Sequence, residues 1–126
     1  MKKIIFTDKA PASIGPYSQA VLVGNTLYTS GQIALDPISM ELVMDTIELE
    51  TTQVMNNMKA VLDAADMDFS NVVKSTIFIS DMNDFTKINS VYASYFEEAF
   101  APARETVQVA KLPKNVNVEI SMIAVK

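Results

Sequence analysis

Val72-Val73-Lys74-Ser75-Thr76-Ile77-Phe78-Ile79-Ser80 is the stretch on which the fold turns. β-Branched residues dominate it. Val73, Ile77 and Ile79 share one parity and Phe78 takes the other, so it reads as a strand with apolar groups on both faces. On either side the apolar period lengthens to that of a helix. Upstream, Val54, Met58, Val61, Leu62 and Ala65 recur at helical spacing, which predicts a helix from about Thr46 to Ala65. Asp45 with Glu48 three residues later has the form of a capping box at its start. Downstream, Phe85, Ile88, Tyr92, Tyr95 and Ala99 form one stripe, predicting a second helix from about Asn83 to Phe100.

The outer segments are β-rich. Lys2–Phe6 reads as a short first strand, and Ala10–Tyr17 as a loop broken by Pro11, Gly15 and Pro16. Gln19–Val23 and Thr26–Ser30 flank Gly24-Asn25, a strong hairpin signal, and Asp36-Pro37-Ile38-Ser39 marks a further turn. Glu105–Lys111 and Val116–Val125 are the last two strands, joined through Leu112-Pro113-Lys114-Asn115. The order β-ββ-α-β-α-ββ predicts one α+β domain over residues 1–126, a six-stranded mixed sheet with both helices on one face. Two helices leave the other face uncovered, yet Phe78 opposes Ile77 and Ile79, and Ile123 and Val125 oppose Met122 and Ala124. That surplus of apolar strand surface predicts a subunit interface.

A chain of 126 residues that is 49% hydrophobic and 20% charged fits one domain with a real core. Its net charge is −5 and its lysines do not cluster, so no nucleic-acid partner is expected. Histidine, cysteine and tryptophan are absent. This excludes disulfides, a thiolate nucleophile, a histidine base and zinc sites of the Cys/His kind. Ile4-Ile5-Phe6 after Met1-Lys2-Lys3 is too short for a signal peptide or a membrane span, so a cytoplasmic protein without membrane association is expected.

Against this sparse chemistry Arg104 stands out. It is the only arginine, within Pro102-Ala103-Arg104-Glu105-Thr106-Val107. Its guanidinium presents a flat fork of donors matching a carboxylate two bonds at a time, which an ammonium cannot do. A structural ion pair, a solvated strand-end charge and a carboxylate site are all open on these residues alone. Arg104, Thr106 and Gln108 share strand parity, while Glu119 shares that of Asn117 and Ser121. A tight hairpin between the last two strands would set Glu119 opposite Gln108, roughly 13 Å along the strand from Arg104. A direct pair within one chain is then disfavoured, and a shared cleft would more easily involve a neighbouring subunit. Asn89 falls at the edge of the second helix's apolar stripe, where solvated and ligand-binding roles are both available. Tyr17 and Ser30-Gly31 lie at loop or strand ends, where ligand contacts concentrate but turn and packing roles are also common.

Taken together, several stretches carry a resemblance. Pro102-Ala103-Arg104, Val107, Ala110, Leu112 and then Val118-Glu119-Ile120 resemble the signature of the RidA (YjgF) family of imine deaminases. The likeness continues through Ile14-Gly15-Pro16-Tyr17-Ser18-Gln19-Ala20, Ser30-Gly31-Gln32-Ile33 and Asn89-x-Val91-Tyr92, in one register over nearly the whole chain. The resemblance implies a chorismate-mutase-like fold, a homotrimer with clefts between subunits, and no cofactor or metal. It implies hydrolysis of 2-iminobutanoate and 2-iminopropanoate to 2-oxo acids and ammonia, clearing the reactive imines released by pyridoxal-phosphate enzymes. On this reading Arg104 clamps the substrate carboxylate and Glu119 orients or activates water, while Tyr17, Ser30, Gly31, Asn89 and Thr106 line the pocket. The alternative is a non-enzymatic trimer that binds a 2-oxo acid or another small carboxylate as a regulator. Three departures stand out. Thr106 replaces a frequent cysteine, Glu105 replaces a small or apolar residue, and Ser39-Met40 stands where a turn glycine is common.

Overall fold

The computed structural model describes residues 1–126. Its strands are β1 (Lys2–Ile5), β2 (Ala20–Val23), β3 (Thr26–Thr29), β4 (Val72–Ile79), β5 (Ala103–Gln108) and β6 (Val118–Val125); its helices are α1 (Ile47–Ala64) and α2 (Phe85–Ala93). They form one mixed sheet in the order β1-β2-β3-β6-β4-β5. Only β4 and β5 run parallel, and α2 makes the crossover such a pair requires. The β2–β3 hairpin turns at Gly24, whose φ of 59° suits a residue without Cβ.

The last two strands do not form the expected hairpin. β6 inserts between β3 and β4, and β5 lies at the sheet's edge beyond β4. Composition explains the exchange. β6 buries Val118, Ile120, Met122 and Ala124 on one face and carries Ile123 and Val125 on the other, which suits a central strand. Arg104-Glu105-Thr106 offers polar groups to both faces, which an edge tolerates. A second correction concerns β4. A bulge between Val72 and Lys74 turns Val73 outward, so Val72, Ser75, Ile77 and Ile79 make the inner face.

Both helices cover the same face of the sheet. α1 buries Val54, Met55, Met58, Val61 and Leu62 over β6 and β4, in one core with Leu27, Ile77, Ile79, Ile88 and Tyr92. Thr46, not Asp45, caps α1. Its extended backbone lets Oγ1 accept from the Leu49 N–H at 3.1 Å, and Glu48 lies in the first turn, where the helix dipole favours it. α2 ends at Ala93 rather than near Phe100. Tyr95 and Phe96 fold back into an aromatic cluster, with Phe96 against Tyr92 at 4.8 Å and against Phe69 at 5.4 Å. Pro102 then holds Ala101 extended, leaving a single helical turn at Glu98–Phe100. Ala99, placed in the stripe by periodicity, is exposed.

Met40 adopts φ 59°, a left-handed conformation that a glycine takes without strain. The turn around it is held by Asp36, whose Oδ1 accepts from the N–H groups of Ile38 and Ser39 at 2.8 and 2.9 Å. Those bonds hold the Asp36 carboxyl below its usual range.

One carboxylate is fully buried. Glu50 of α1 accepts from the Asn117 backbone N–H at 2.8 Å and from Asn117 Nδ2 at 2.7 Å. Asn117 also accepts from Ser80 at the end of β4, through N–H to O at 3.0 Å and Oγ to Oδ1 at 3.2 Å. Glu50 therefore fixes the start of β6, two residues before Glu119. Removing it leaves two donors unsatisfied in the interior. Glu50→Ala is expected to cost about 2–4 kcal/mol in urea-unfolding free energy, by the cost of orphaned partners of a charged acceptor.

Candidate active site

The register distributes the candidate residues between the two faces of the sheet. Ser75 of β4 pairs with Arg104 on one side and Met122 on the other, and all three point toward the helices. Thr106, paired with Ile77, points the same way. Glu119 pairs with Phe78 and points to the uncovered face. A chain can therefore not bring its own Arg104 and Glu119 together: a sheet lies between them.

On the helix side, Arg104 stands exposed at the edge strand with α2 beside it. Its Nη1 donates to Asn89 Oδ1 at 2.5 Å, and its guanidinium carbon lies 5.2 Å from the Tyr92 ring centroid and 5.7 Å from that of Phe85. The chain's ion pairs are Lys59–Asp63 and Lys74–Glu105, so no carboxylate of the chain neutralises Arg104. A structural ion pair is thereby removed from its possible roles. Asn89, Tyr92, Ala93, Phe96, Glu98 and Pro102 line a cavity with it, of about 670 Å³. Thr106 Oγ1, two residues along, is buried without a hydrogen-bond partner. Glu105 points to the opposite face and pairs with Lys74 at 3.3 Å, away from Arg104.

On the uncovered side, Tyr17, Ser30, Gly31, Lys114 and Glu119 line a second cavity of about 520 Å³. Glu119 lies flat on Gly31: a Cβ there would sit 2.8 Å from Glu119 Cδ and 2.9 Å from Cγ. The strand around it is fixed from both sides, by the Asn117–Glu50 bonds and by the bridge in which Gln32 and Ile120 exchange N–H to O bonds at 2.8 and 3.1 Å. Ser30 donates its hydroxyl to the Ser18 carbonyl at 2.5 Å, and the Tyr17 hydroxyl accepts from the Ile14 N–H at 3.3 Å. Gln19, buried beneath this loop, accepts from the Thr7 N–H at 2.7 Å and donates to the carbonyls of Thr7 and Pro11 at 2.9 Å. Lys114 holds φ 55° at the cavity wall.

Burial raises the Glu119 carboxyl above its usual value. The chain therefore binds a proton there more tightly folded than unfolded. Stability from this group is present below the unfolded value of 4.5 and is lost as pH rises through the higher folded value. Glu119→Gln removes the titrating group. Its Tm is expected to equal or exceed that of the parent at pH 7, and its pH–Tm profile to lack the contribution that Glu119 makes above pH 4.5, as differential scanning calorimetry across pH would show.

Residue identity alone did not point to several contributors. Phe85 and Tyr92 read as core stripe, and only the Asn89-x-Val91-Tyr92 spacing, which sets both polar groups on one helix face, hints at more. Glu50, Gln19 and Lys114 carried no signal in composition or periodicity.

A family model described as Endoribonuclease L-PSP matches residues 7–126. The 2-iminobutanoate/2-iminopropanoate deaminase of Bos taurus is 52% identical over 100% of this chain and 91% of its own. A solved structure of the conserved Rid protein family, YyfA from Yersinia pestis, superposes with a TM-score of 0.97 at 45% identity, covering 100% of both chains. The chain belongs to the RidA (YjgF) family. Its six-stranded mixed sheet with two helices matches the solved YjgF gene product of Escherichia coli, with a TM-score of 0.92 at 44% identity over 98% of each chain. Escherichia coli TdcF, solved with bound serine, superposes with a TM-score of 0.92 at 44% identity over 98% of each chain. The guanidinium without an ion-pair partner and the half-buried carboxylate lie in two separate cavities of this RidA chain.

Proposed function

We propose that this protein hydrolyses 2-imino acids, 2-iminobutanoate and 2-iminopropanoate among them, to 2-oxo acids and ammonia. The observation that carries the proposal is the unpaired, oriented guanidinium of Arg104 in a chain 52% identical to a deaminase of those two imines. Serine bound to TdcF is itself a small amino acid with a free carboxylate, in keeping with that class of ligand. We place the reaction in the cytoplasm, where pyridoxal-phosphate enzymes that dehydrate threonine and serine release these imines.

The protein has little to do chemically, because a protonated imine is already electrophilic. Arg104 holds the carboxylate through paired charge-assisted bonds, each contributing about 1.5–3 kcal/mol. Glu119 takes a proton from water as its oxygen bonds to C2 and the C=N electron pair moves to nitrogen. Glu119 returns that proton to nitrogen, C–N breaks, and ammonia leaves as the C2–OH gives its proton to the freed Glu119 carboxylate, leaving the 2-oxo acid. Thr106 lies beside Arg104 at the position where a cysteine is frequent in the family, so no thiol adduct forms in this chemistry. Thr106 Oγ1, Asn89, Ser30, Gly31 and Tyr17 complete the pocket in this reading.

The partition of Arg104 and Glu119 between faces supports a homotrimer in which one subunit's helix-side cavity meets its neighbour's cavity around Glu119. The uncovered face offers the surface for it. Ile4, Val21, Tyr28 and Ile123 form one row across the sheet, and Phe78 and Val107 another, with Ile4 51% and Tyr28 50% exposed in the single chain. The bound partner in this reading is a small carboxylate and neither a nucleic acid nor a membrane. A net charge of −5 and a lone arginine supply no groove for an RNA backbone.

The test generates 2-iminobutanoate from threonine with a dehydratase and traps surviving imine with semicarbazide. Catalytic amounts of this protein are expected to lower the trapped product and raise the rate of 2-oxobutanoate release. Unchanged trapping at micromolar protein, with 2-oxobutanoate still bound, would instead support the regulator.

A further inference from the structure

Arg104 sits on an edge strand with an exposed, charge-unpaired side chain, the situation in which an arginine normally samples many rotamers. Here one face of α2 restrains it. Phe85, Asn89 and Tyr92 are four and three residues apart, so they line up along one side of the helix. Asn89 Oδ1 takes one guanidinium N–H, and the two rings lie 5.7 and 5.2 Å from its carbon, both within cation–π range. Three contacts fix a plane, and four of the five guanidinium donors stay free of any partner in the chain.

The Tyr92 ring is itself anchored. It is 4% exposed and donates its hydroxyl to Ser75 Oγ at 2.8 Å, and Phe96 braces it at 4.8 Å. Ser75 is the register partner of Arg104 in the parallel β4–β5 pair. The contacts thus close on themselves: the Arg104 backbone lies beside Ser75, Ser75 holds the Tyr92 hydroxyl, and the Tyr92 ring carries the Arg104 guanidinium. A phenylalanine would fill the same volume. The hydroxyl adds a fixed depth and rotation for the ring, referenced to the same strand pair that carries the arginine.

We infer that Tyr92, anchored by Ser75, and Phe85 are positioning residues that hold the Arg104 guanidinium in the orientation that receives a carboxylate. The inference rests on the reading of Arg104 as the carboxylate clamp. Neither ring touches the imine carbon. Their contribution is preorganisation, which lowers the ordering cost of binding and so acts on the affinity for 2-imino and 2-oxo acids alike. The bond-making step at C2 depends on Glu119, and the rings leave it unchanged.

The lone arginine makes this directly observable, because a ¹H–¹⁵N spectrum of the whole assembly holds one arginine Nε–H cross-peak. In the parent protein that peak is expected to be displaced by ring currents and to shift again on titration with 2-oxobutanoate. Phe85→Leu and Tyr92→Leu should each move the free-protein peak toward its random-coil position. Each should weaken 2-oxobutanoate binding, measured by calorimetry, and raise KM by about three- to tenfold, the range a cation–π contact supports, with kcat within about twofold. Tyr92→Phe and Ser75→Ala keep the ring and should show the same split at smaller size. Phe85 is only half-buried, so Phe85→Leu, with Tyr92→Phe, carries the test even where Tyr92→Leu fails to fold. Folded variants with lowered Tm but an unmoved cross-peak and parental affinity would show rings that only fill the core, and the inference would be wrong. Arg104→Ala in the same calorimeter separates the two layers. If it binds 2-oxobutanoate like the parent, the clamp reading fails and this inference with it. If it loses binding while Phe85→Leu keeps it, the inference alone fails.

Discussion

Arg104→Ala is expected to abolish measurable 2-oxobutanoate binding and to lower kcat/KM for imine hydrolysis by about 10²- to 10⁴-fold. The magnitude is that of two charge-assisted hydrogen bonds at about 1.5–3 kcal/mol each. The fold should be indifferent. Arg104 is exposed on an edge strand and its one side-chain hydrogen bond runs to the half-buried Asn89, so Tm should move by no more than a few degrees. Arg104→Lys restores the charge but lacks the flat fork, and is expected to recover only part of the affinity. Isothermal calorimetry with 2-oxobutanoate, beside the semicarbazide assay, reads both. Near-parental affinity in the alanine variant would end the role given to this residue.

The second large effect is expected at a residue that carries no functional group. Gly31 does not occupy the left-handed region, so its backbone tolerates alanine. The obstacle is Glu119: the new Cβ would lie 2.8 Å from Cδ, 2.9 Å from Cγ and 3.0 Å from Oε1. All three atoms belong to the Glu119 side chain and none to backbone, so Glu119 yields and the strands stay in place. Gly31→Ala should therefore fold with nearly parental Tm and bind 2-oxobutanoate through Arg104. Its kcat should fall by about 10²- to 10³-fold, within the range that removal of a general base produces. A double-mutant cycle isolates the cause. If displacement of Glu119 is the whole effect, adding Gly31→Ala to Glu119→Ala lowers kcat no further. Full additivity would show that Gly31 acts by another route.

The parts of the fold legible from sequence were those governed by local rules. The β2–β3 hairpin followed from Gly24-Asn25, α1 from its apolar spacing, and the apolar outer face from Phe78, Ile123 and Val125. What local reading missed depended on tertiary choice. Continuous periodicity extended α2 to Phe100, whereas Tyr95 and Phe96 gain more by turning back onto Phe69 and Tyr92. Adjacency in the chain suggested a β5–β6 hairpin, whereas the two-sided apolar β6 belongs in the centre of the sheet. That exchange bears on the site. Strand parity had separated Arg104 from Glu119 along a hairpin; the true register separates them across the sheet, a stronger barrier. Tyr92 shows the limit from the other direction. A buried aromatic at helical spacing is indistinguishable in sequence from core until Ser75 and Arg104 are placed around it. At Met40, the departure from a common turn glycine coincides with a left-handed backbone, which a residue with a Cβ adopts at the cost of strain.

On the proposed reading Arg104 clamps the carboxylate and Glu119 activates water; the two lie on opposite faces of the sheet, so each working site takes Arg104 from one subunit and Glu119 from another. The direct measurement is complementation between two dead variants. Arg104→Ala and Glu119→Ala are produced separately and then co-expressed in equal amounts so that, with the proposed trimer, mixed assemblies form from both. Each alone should be inactive in the semicarbazide assay. With random assembly, a site is intact when its arginine comes from the Glu119→Ala subunit and its glutamate from the Arg104→Ala subunit. That combination restores about a quarter of the parental activity in a cyclic assembly. Recovery near that fraction is the result predicted here. Mixed assemblies as inactive as the separate variants would contradict it, because Arg104 and Glu119 would then not serve one site across subunits.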